Sequence, residues 1–238
     1  MTRVAFIGLG NMGSGMAANQ AKAGREVAAF DLSEEAMARA KGQGMSPVAS
    51  VADAVKDANI VITMLPAGQH VRDTYGTIIA NAPKDALLID CSTIDVDSAR
   101  TVARDAAMQG FRAADAPVSG GTAAAAGGTL TFMVGCREQD FAEIEEALKP
   151  MAKATIHAGV SGAGQAAKIC NNMLLGISMI ATCEAFVLAE RLELDPQKFF
   201  DIASKASGQC WSLTSYCPWP GPVPAAPSNR DYEGGFAA

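Results

Sequence analysis

The chain of 238 residues is long enough for one large domain or two modest ones, and 49% of its residues are hydrophobic. Its net charge of -6 comes without a clustered basic stripe, which argues against a nucleic-acid partner and favours a small-molecule one. Six scattered cysteines without C-x-x-C spacing or a secretory signal indicate reduced thiols of a cytoplasmic protein, and two isolated histidines give no reason to expect a metal site.

The N-terminal segment combines a short strand with a glycine-rich turn. The apolar run Arg3–Ile7 is too short for a helix and is stopped by glycine, which predicts a buried strand of a parallel sheet. It is followed by Gly8-Leu9-Gly10-Asn11-Met12-Gly13 and then by a helical pattern that ends at Ala23. The first glycine of such a turn allows a tight bend, the second lets the backbone approach a pyrophosphate, and the third lets helix and strand pack closely. Strand, turn and helix together predict a dinucleotide site at a helix N-terminus.

A second predicted strand, Glu26–Phe30, ends at a carboxylate. Asp31 follows the last glycine of the turn by eighteen positions, where an acidic side chain binds the hydroxyls of an adenosine ribose. The segment Leu32-Ser33-Glu34 supplies no Arg or Lys for a 2′-phosphate, so NAD is favoured over NADP. The alternative is that Asp31 only caps the next helix, which is predicted over 34–41.

Strands and helices continue to alternate with short loops. We predict helices over 50–56, 71–79 and 96–109, and strands over 60–65, 86–90 and 111–114. Leu65 and Pro66 stand at the end of one strand, at the rim where open α/β sheets bind ligands, and Cys91-Ser92-Thr93 stands at the end of the next. The alternation predicts a doubly wound, Rossmann-type, mostly parallel sheet.

The segment Ser119-Gly120-Gly121 lies in a stretch that is almost bare of large side chains. Its consecutive N–H groups, with the Ser119 hydroxyl, would form a nest for a carboxylate, and a flexible glycine loop fits the same residues. A strand over 129–134, a helix over 139–151 and a strand over 154–158 complete a first domain over residues 1–162.

The longest helical pattern runs from Gln165 to about Leu192. At roughly 1.5 Å per residue this helix is about 40 Å long, which predicts the spine of a second, all-α domain over 163–238. Its portion from Met173 to Ala189 is apolar nearly all round, but Glu184 and the charged end favour burial between domains or subunits over a membrane span. The apolar spine also indicates self-association, as a homodimer or homotetramer.

Two polar residues near the start of this helix are candidates for chemistry. Lys168 and Asn172 are four apart and share a helix face. A lysine in an apolar helix can donate or accept a proton if desolvation lowers its pKa, and a lysine that snorkels from a helix end is the alternative. After a further predicted helix over 195–204 and a proline-rich loop over 217–224, the chain stops without a capped helix, so we expect the second domain to be incomplete.

Several motifs, in this order, resemble those of the β-hydroxyacid dehydrogenase family. They are Phe6–Ala17, Asp115–Gly121, Gly159–Gly164 followed by Lys168 and Asn172, and the loop Ser207–Ser212. Similar proteins continue past the proline-rich loop into helices that include a second functional lysine.

The resemblance implies a site for NAD and a short hydroxy acid. The cofactor would contact Gly8, Leu9, Gly10, Asn11, Met12, Gly13, Asp31, Leu65, Pro66 and Thr93. The substrate carboxylate would bind Ser119, Gly120 and Gly121, while Lys168 would be the general acid/base and Asn172 would position the reacting oxygen.

The implied reaction is oxidation of a small 3-hydroxy acid to its semialdehyde. The resemblance favours conversion of 3-hydroxyisobutyrate to methylmalonate semialdehyde, in valine catabolism. The alternatives are action on tartronate semialdehyde, succinic semialdehyde or 3-hydroxypropionate, or a non-catalytic protein that binds NAD.

Overall fold

A computed structural model describes residues 2–232 of the chain. The chain divides into two compact units between Lys168 and Ile169, inside the longest helix. The expectation that the second domain is incomplete was based on the last residues, 234–238, which lie outside the described residues.

The first unit is built on one nine-stranded sheet. Its strands are β1 Arg3–Ile7, β2 Glu26–Phe30, β3 Ser46–Pro47, β4 Ile60–Thr63, β5 Leu87–Asp90, β6 Arg112–Asp115, β7 Val118–Ser119, β8 Leu130–Gly135 and β9 Ala152–Gly159. The strands β3-β2-β1-β4-β5-β6 are parallel neighbours in that order. Strand β8 pairs antiparallel with β6 and β7 and parallel with β9. The predicted mostly parallel, Rossmann-type sheet is confirmed.

Helices cover both faces of this sheet. They are α1 Gly13–Lys22, α2 Glu34–Gly42, α3 Val51–Val55, α4 Gly68–Asn81, α5 Val96–Met108, α6 Gly121–Gly127, α7 Phe141–Leu148 and the start of α8 Ala163–Arg191. Successive side chains of a strand point to opposite faces, and in β5 Leu87 and Ile89 join one apolar core while Leu88 joins the other. Burial on both faces explains why these strands are continuous apolar runs.

The segment after β7 differs from the flexible loop that was one interpretation of its glycines. Ser119 pairs with Thr131 of β8, and Gly120 and Gly121, with φ of 138° and 72°, turn directly into α6. Helix α6 packs closely on α1, where Asn19 donates from Nδ2 to the Ala125 carbonyl over 2.7 Å. The alanines of α6 give no amphipathic pattern, because packing on another helix rather than local periodicity stabilises this element.

Several other predicted bounds also change. The helix expected over 139–151 is α7, which is flanked by 3-10 turns at Glu138–Asp140 and Lys149–Met151. Pro150 lies in the second turn and cannot donate a backbone hydrogen bond to continue the helix. The two-residue strand β3 has no counterpart among the predicted elements.

The second unit is helical in the part that the structure describes. It contains the rest of α8, then α9 Pro196–Ala203 and the short α10 Trp211–Thr214, which the sequence pattern did not predict. Phe186 of α8 packs against Phe199 and Trp219, with ring centroids 4.9 and 5.7 Å apart.

Helix α8 carries an exposed apolar surface. Met173, Leu174, Ile177 and Ile180 are each at least 60% exposed in the single chain. Within residues 2–232, α8 is the one helix long and apolar enough to cross a membrane by length and composition alone, and 17% of its most apolar stretch is buried.

Candidate active site

In the turn between β1 and α1, two glycines pack against backbone carbonyls and a third is exposed. A Cβ on Gly8, which has a φ of 96°, would overlap the Met64 carbonyl, and a Cβ on Gly13 would overlap the carbonyl of Gly8. Gly10 is exposed, and no atom lies within 4 Å of where its Cβ would be. The inner glycines therefore allow tight packing, while the outer one leaves backbone N–H groups accessible to a ligand, which fits a pyrophosphate.

Asp31 lies directly over this turn. Its Oδ2 accepts a hydrogen bond from the Leu9 N–H over 2.6 Å, and its Oδ1 accepts one from the Ser33 N–H over 2.8 Å. The side-chain cap of α2 is Ser33, whose hydroxyl accepts from the Ala36 N–H over 3.3 Å. Asp31 is thus not the cap of that helix, and the neighbouring Leu32 is 91% exposed and uncharged.

The candidate cofactor residues follow four adjacent strands. In the sheet order β2, β1, β4, β5, the carboxyl ends are followed by Asp31, the turn Gly8–Gly13, Leu65 with Pro66, and Thr93. Three strand spacings cover about 14 Å, so an extended dinucleotide lying across these ends would meet the four groups in turn. The strand order changes direction between β1 and β4, which is the place where open α/β sheets bind ligands.

A buried hydrogen-bond network holds the ends of β4 and β5. The Leu65 N–H donates to Ser92 Oγ over 2.8 Å, and Ser92 Oγ donates to Asp90 Oδ1 over 2.6 Å. Thr63 Oγ1 donates to the same carboxylate oxygen over 2.7 Å. Burial raises the pKa of Asp90 to about 6, and its Oδ2 has no protein partner among the described residues. Sequence reasoning missed this network, although a carboxylate that ends an apolar strand, two positions before a serine, was a visible signal.

Asp115, at the end of β6, anchors the start of α8. Its Oδ1 accepts from the Gly162 N–H over 2.6 Å, and its Oδ2 accepts from the Gln165 N–H over 2.9 Å. A Cβ on Gly164 would overlap the Met133 carbonyl, so glycine is required for this close approach. Burial raises the pKa of Asp115. The glycine-rich segment before Lys168 is therefore an anchored helix start.

The remaining candidate residues are placed as follows. Lys168 is half-buried at the end of the first unit, and burial lowers the pKa of its amine. Asn172 is exposed one turn later in α8, in the second unit. Ser119 is half-buried, and Gly120 and Gly121 are exposed. No hydrogen bond within residues 2–168 joins Ser119 to Lys168, whereas Asp31 binds the glycine turn directly through the Leu9 N–H.

Comparisons with known proteins identify NAD-binding domains along this chain. A family model described as the NAD binding domain of 6-phosphogluconate dehydrogenase matches residues 3–159. Another, described as NAD-binding of NADP-dependent 3-hydroxyisobutyrate dehydrogenase, matches residues 162–238.

Individual relatives match along the whole chain. The 3-hydroxyisobutyrate dehydrogenase of Pseudomonas aeruginosa is 47% identical, over 99% of this chain and 80% of that protein. An NAD-dependent L-serine dehydrogenase of the same organism is 44% identical, over 100% of this chain and 81% of that protein. The structure of Mycobacterium tuberculosis 3-hydroxyisobutyrate dehydrogenase with L-serine has a TM-score of 0.96 at 48% identity, and the match covers 100% of this chain and 81% of that one. The chain therefore belongs to the 3-hydroxyisobutyrate dehydrogenase family of NAD-dependent oxidoreductases.

Proposed function

We propose that this protein oxidises 3-hydroxyisobutyrate to methylmalonate semialdehyde with NAD, as a step of valine catabolism. The observation that carries the proposal is the row of candidate cofactor residues along four adjacent strand ends, with Lys168 in a helix that Asp115 anchors to the same sheet. The names of the relatives support this substrate.

The chemistry divides between the cofactor and the chain. Bound NAD supplies the acceptor for the hydride that leaves the carbinol carbon. Lys168 takes the hydroxyl proton, and its lowered pKa increases the neutral fraction that can do so. In the reverse direction the protonated amine donates to the carbonyl oxygen. Asn172 orients that oxygen, while the N–H groups of Gly120 and Gly121 and the hydroxyl of Ser119 bind the substrate carboxylate.

L-serine is the second candidate substrate. One relative is named an L-serine dehydrogenase, and a similar enzyme was solved with L-serine. L-serine has an ammonium group where 3-hydroxyisobutyrate has a methyl group. The residues proposed to contact substrate, Ser119, Gly120, Gly121, Lys168 and Asn172, include no carboxylate to pair with that ammonium group. The positive charge that Lys168 gains when it accepts the hydroxyl proton would repel it. The methyl-bearing substrate is therefore favoured.

A substrate panel tests this function. NADH formation would be measured with 3-hydroxyisobutyrate, L-serine and 3-hydroxypropionate, and NADH consumption with tartronate and succinic semialdehydes. We expect the highest kcat/KM for 3-hydroxyisobutyrate, at least about tenfold above L-serine, because an unpaired ammonium group costs more than a methyl group. A higher value for another compound would contradict the assigned substrate. NAD binding in calorimetry without turnover of any compound would instead support the non-catalytic alternative.

We propose further that the protein is a cytoplasmic homodimer or homotetramer. Its six free cysteines fit a reducing compartment. The exposed apolar side chains of α8, which include Met173 and Ile177, would be buried by a second copy. Light scattering should give two or four times the chain mass of 24.5 kDa, and a particle of one chain mass would contradict the association.

A further inference from the structure

We propose that Gln165 is a positioning residue for the dehydrogenase reaction, because its side chain fastens the start of α8, and with it Lys168, to the loop that carries Thr93. This inference rests on the proposed roles of Lys168 and Thr93. It concerns a residue that the family resemblance did not single out.

The amide of Gln165 binds the backbone on both sides of Thr93. Its Nε2 donates to the Ser92 carbonyl over 2.7 Å, and its Oε1 accepts from the Ile94 N–H over 3.2 Å. Gln165 is fully buried, while Thr93 is exposed between two buried neighbours. The side-chain amide has an NH2 group that donates and a carbonyl oxygen that accepts. Here both groups bind the backbone that flanks the exposed Thr93.

The backbone of Gln165 is fixed as well. Its N–H donates to Asp115 Oδ2 over 2.9 Å. The residue therefore connects the end of β6, through its backbone, with the loop after β5, through its side chain. Lys168 follows three positions later in the same helix, where the axial rise is about 4.5 Å and the two side chains are neighbours on the helix surface. A displacement of Gln165 would therefore move Lys168.

The connection extends to Leu65. The carbonyl of Ser92 accepts from Gln165, while the hydroxyl of Ser92 accepts from the Leu65 N–H over 2.8 Å. One chain of hydrogen bonds thus links Leu65, the two neighbours of Thr93 and the helix that carries Lys168. Hydride and proton transfer both depend on the relative placement of these groups, and a misplacement of about 1 Å can lower a rate by about 10²-fold.

The test is Gln165→Met, which keeps side-chain length and removes both hydrogen bonds. We expect kcat to fall by about 10²-fold while the Kd of NAD from calorimetry stays within a few-fold. With substrate deuterated at the hydroxymethyl carbon, the isotope effect on kcat should rise, because hydride transfer would become rate-limiting. A wild-type kcat with an unchanged isotope effect would overturn the proposal.

Gln165→Glu provides a conservative rescue. Its protonated carboxyl group can donate to the Ser92 carbonyl and accept from the Ile94 N–H, whereas its ionised form cannot donate. The kcat of Gln165→Glu relative to Gln165→Met should therefore be highest at low pH and fall as the carboxyl group ionises. A ratio that does not depend on pH would count against the positioning role of Gln165. If Gln165→Met does not fold, the kcat of Gln165→Glu relative to wild type should show the same fall as the pH rises, and its absence would count against that role.

Gln20→Met is the matched control. Gln20 is also fully buried, its Nε2 donates to the Ala147 carbonyl over 3.1 Å at the end of α7, and its Oε1 accepts from Arg25 over 2.7 Å. Loss of these two bonds should lower stability to a similar degree and leave kcat and the isotope effect near their wild-type values. An equal loss of kcat in both variants would mean that Gln165 serves stability alone.

A second measurement separates this inference from the proposed function. If the wild type turns over none of the substrates, the proposed function fails, and the pKa of the Lys168 amine can still be measured by isotope-labelled reductive methylation and NMR. Gln165→Met should return that pKa toward its ordinary value, since a loosened helix start admits water, and Gln20→Met should not. An unchanged pKa in Gln165→Met would overturn the positioning role.

Discussion

The surroundings of the Asp90 carboxyl group raise its pKa. Its carboxyl group lies at the end of β5, where Thr63 and Ser92 donate hydroxyl hydrogen bonds to one oxygen. These bonds stabilise the ionised form, but burial disfavours it more strongly, and the pKa rises from 3.8 to about 6. The group therefore affects the pH dependence of stability as well as the position of the nearby Leu65.

We predict that Asp90→Asn changes how stability depends on pH. The folded chain holds the Asp90 proton up to about pH 6, and the unfolded chain only up to about pH 4, so the free energy of unfolding falls as the pH rises through this window. Asparagine retains an acceptor for both hydroxyl groups and cannot ionise. Relative to wild type, the variant should gain up to about 3 kcal/mol in urea unfolding between about pH 4 and pH 8.

Asp95→Asn is the control for this measurement. The hydroxyl and N–H of Ser98 lower the pKa of Asp95, so its contribution to stability is present at neutral pH and lost as the pH falls. The free energy of unfolding of Asp95→Asn relative to wild type should therefore fall as the pH rises, whereas that of Asp90→Asn relative to wild type should increase. A difference for Asp90→Asn that is the same at every pH would refute the raised pKa.

Local patterns determined which site residues could be predicted at this scale. Asp31 was found because the distance from a glycine turn to a strand-end carboxylate recurs in dinucleotide sites. The role of Gln165 depends on hydrogen bonds to Ser92 and Ile94, more than seventy positions earlier in the chain. A long-range side-chain contact leaves no periodic signal in a single sequence, so this residue required the structure.

At the scale of elements, the longer strands and helices followed from the sequence, whereas the short elements β3, β7, α6 and α10 did not. Strands β1, β2 and β4 are continuous apolar runs because both faces are buried, and such runs are visible in the sequence. Helix α6 is an alanine-rich segment between glycines, and Gly15 of α1 permits its close approach. Its formation depends on that tertiary contact, which local propensity does not reveal.

Helix α8 illustrates a limit of compositional reasoning. Its length and apolar character were evident from the sequence, and the structure confirms a helix over Ala163–Arg191. The same composition fits a buried core helix, a membrane span and a subunit interface. The exposed side chains of its middle portion support the interface proposal.

At the scale of the whole molecule, the sheet determines where the chemistry can occur. The strand order brings four separate loops to one edge, and the anchored start of α8 adds Lys168 to the same unit. The alternation of elements was sufficient to predict this Rossmann-type sheet and a helical part after it. The identity of the hydroxy acid depends on a few side chains and could not follow from the fold.

The central claim is that Lys168 exchanges the proton while NAD accepts the hydride. The most direct measurement compares Lys168→Ala with wild type in the oxidation of 3-hydroxyisobutyrate, with NAD binding measured by calorimetry on the same preparations. We predict that kcat falls by about 10²- to 10⁴-fold while the Kd of NAD is unchanged, because the amine acts in proton transfer and lies outside the glycine turn. A variant that turns over at nearly the wild-type rate would contradict the account.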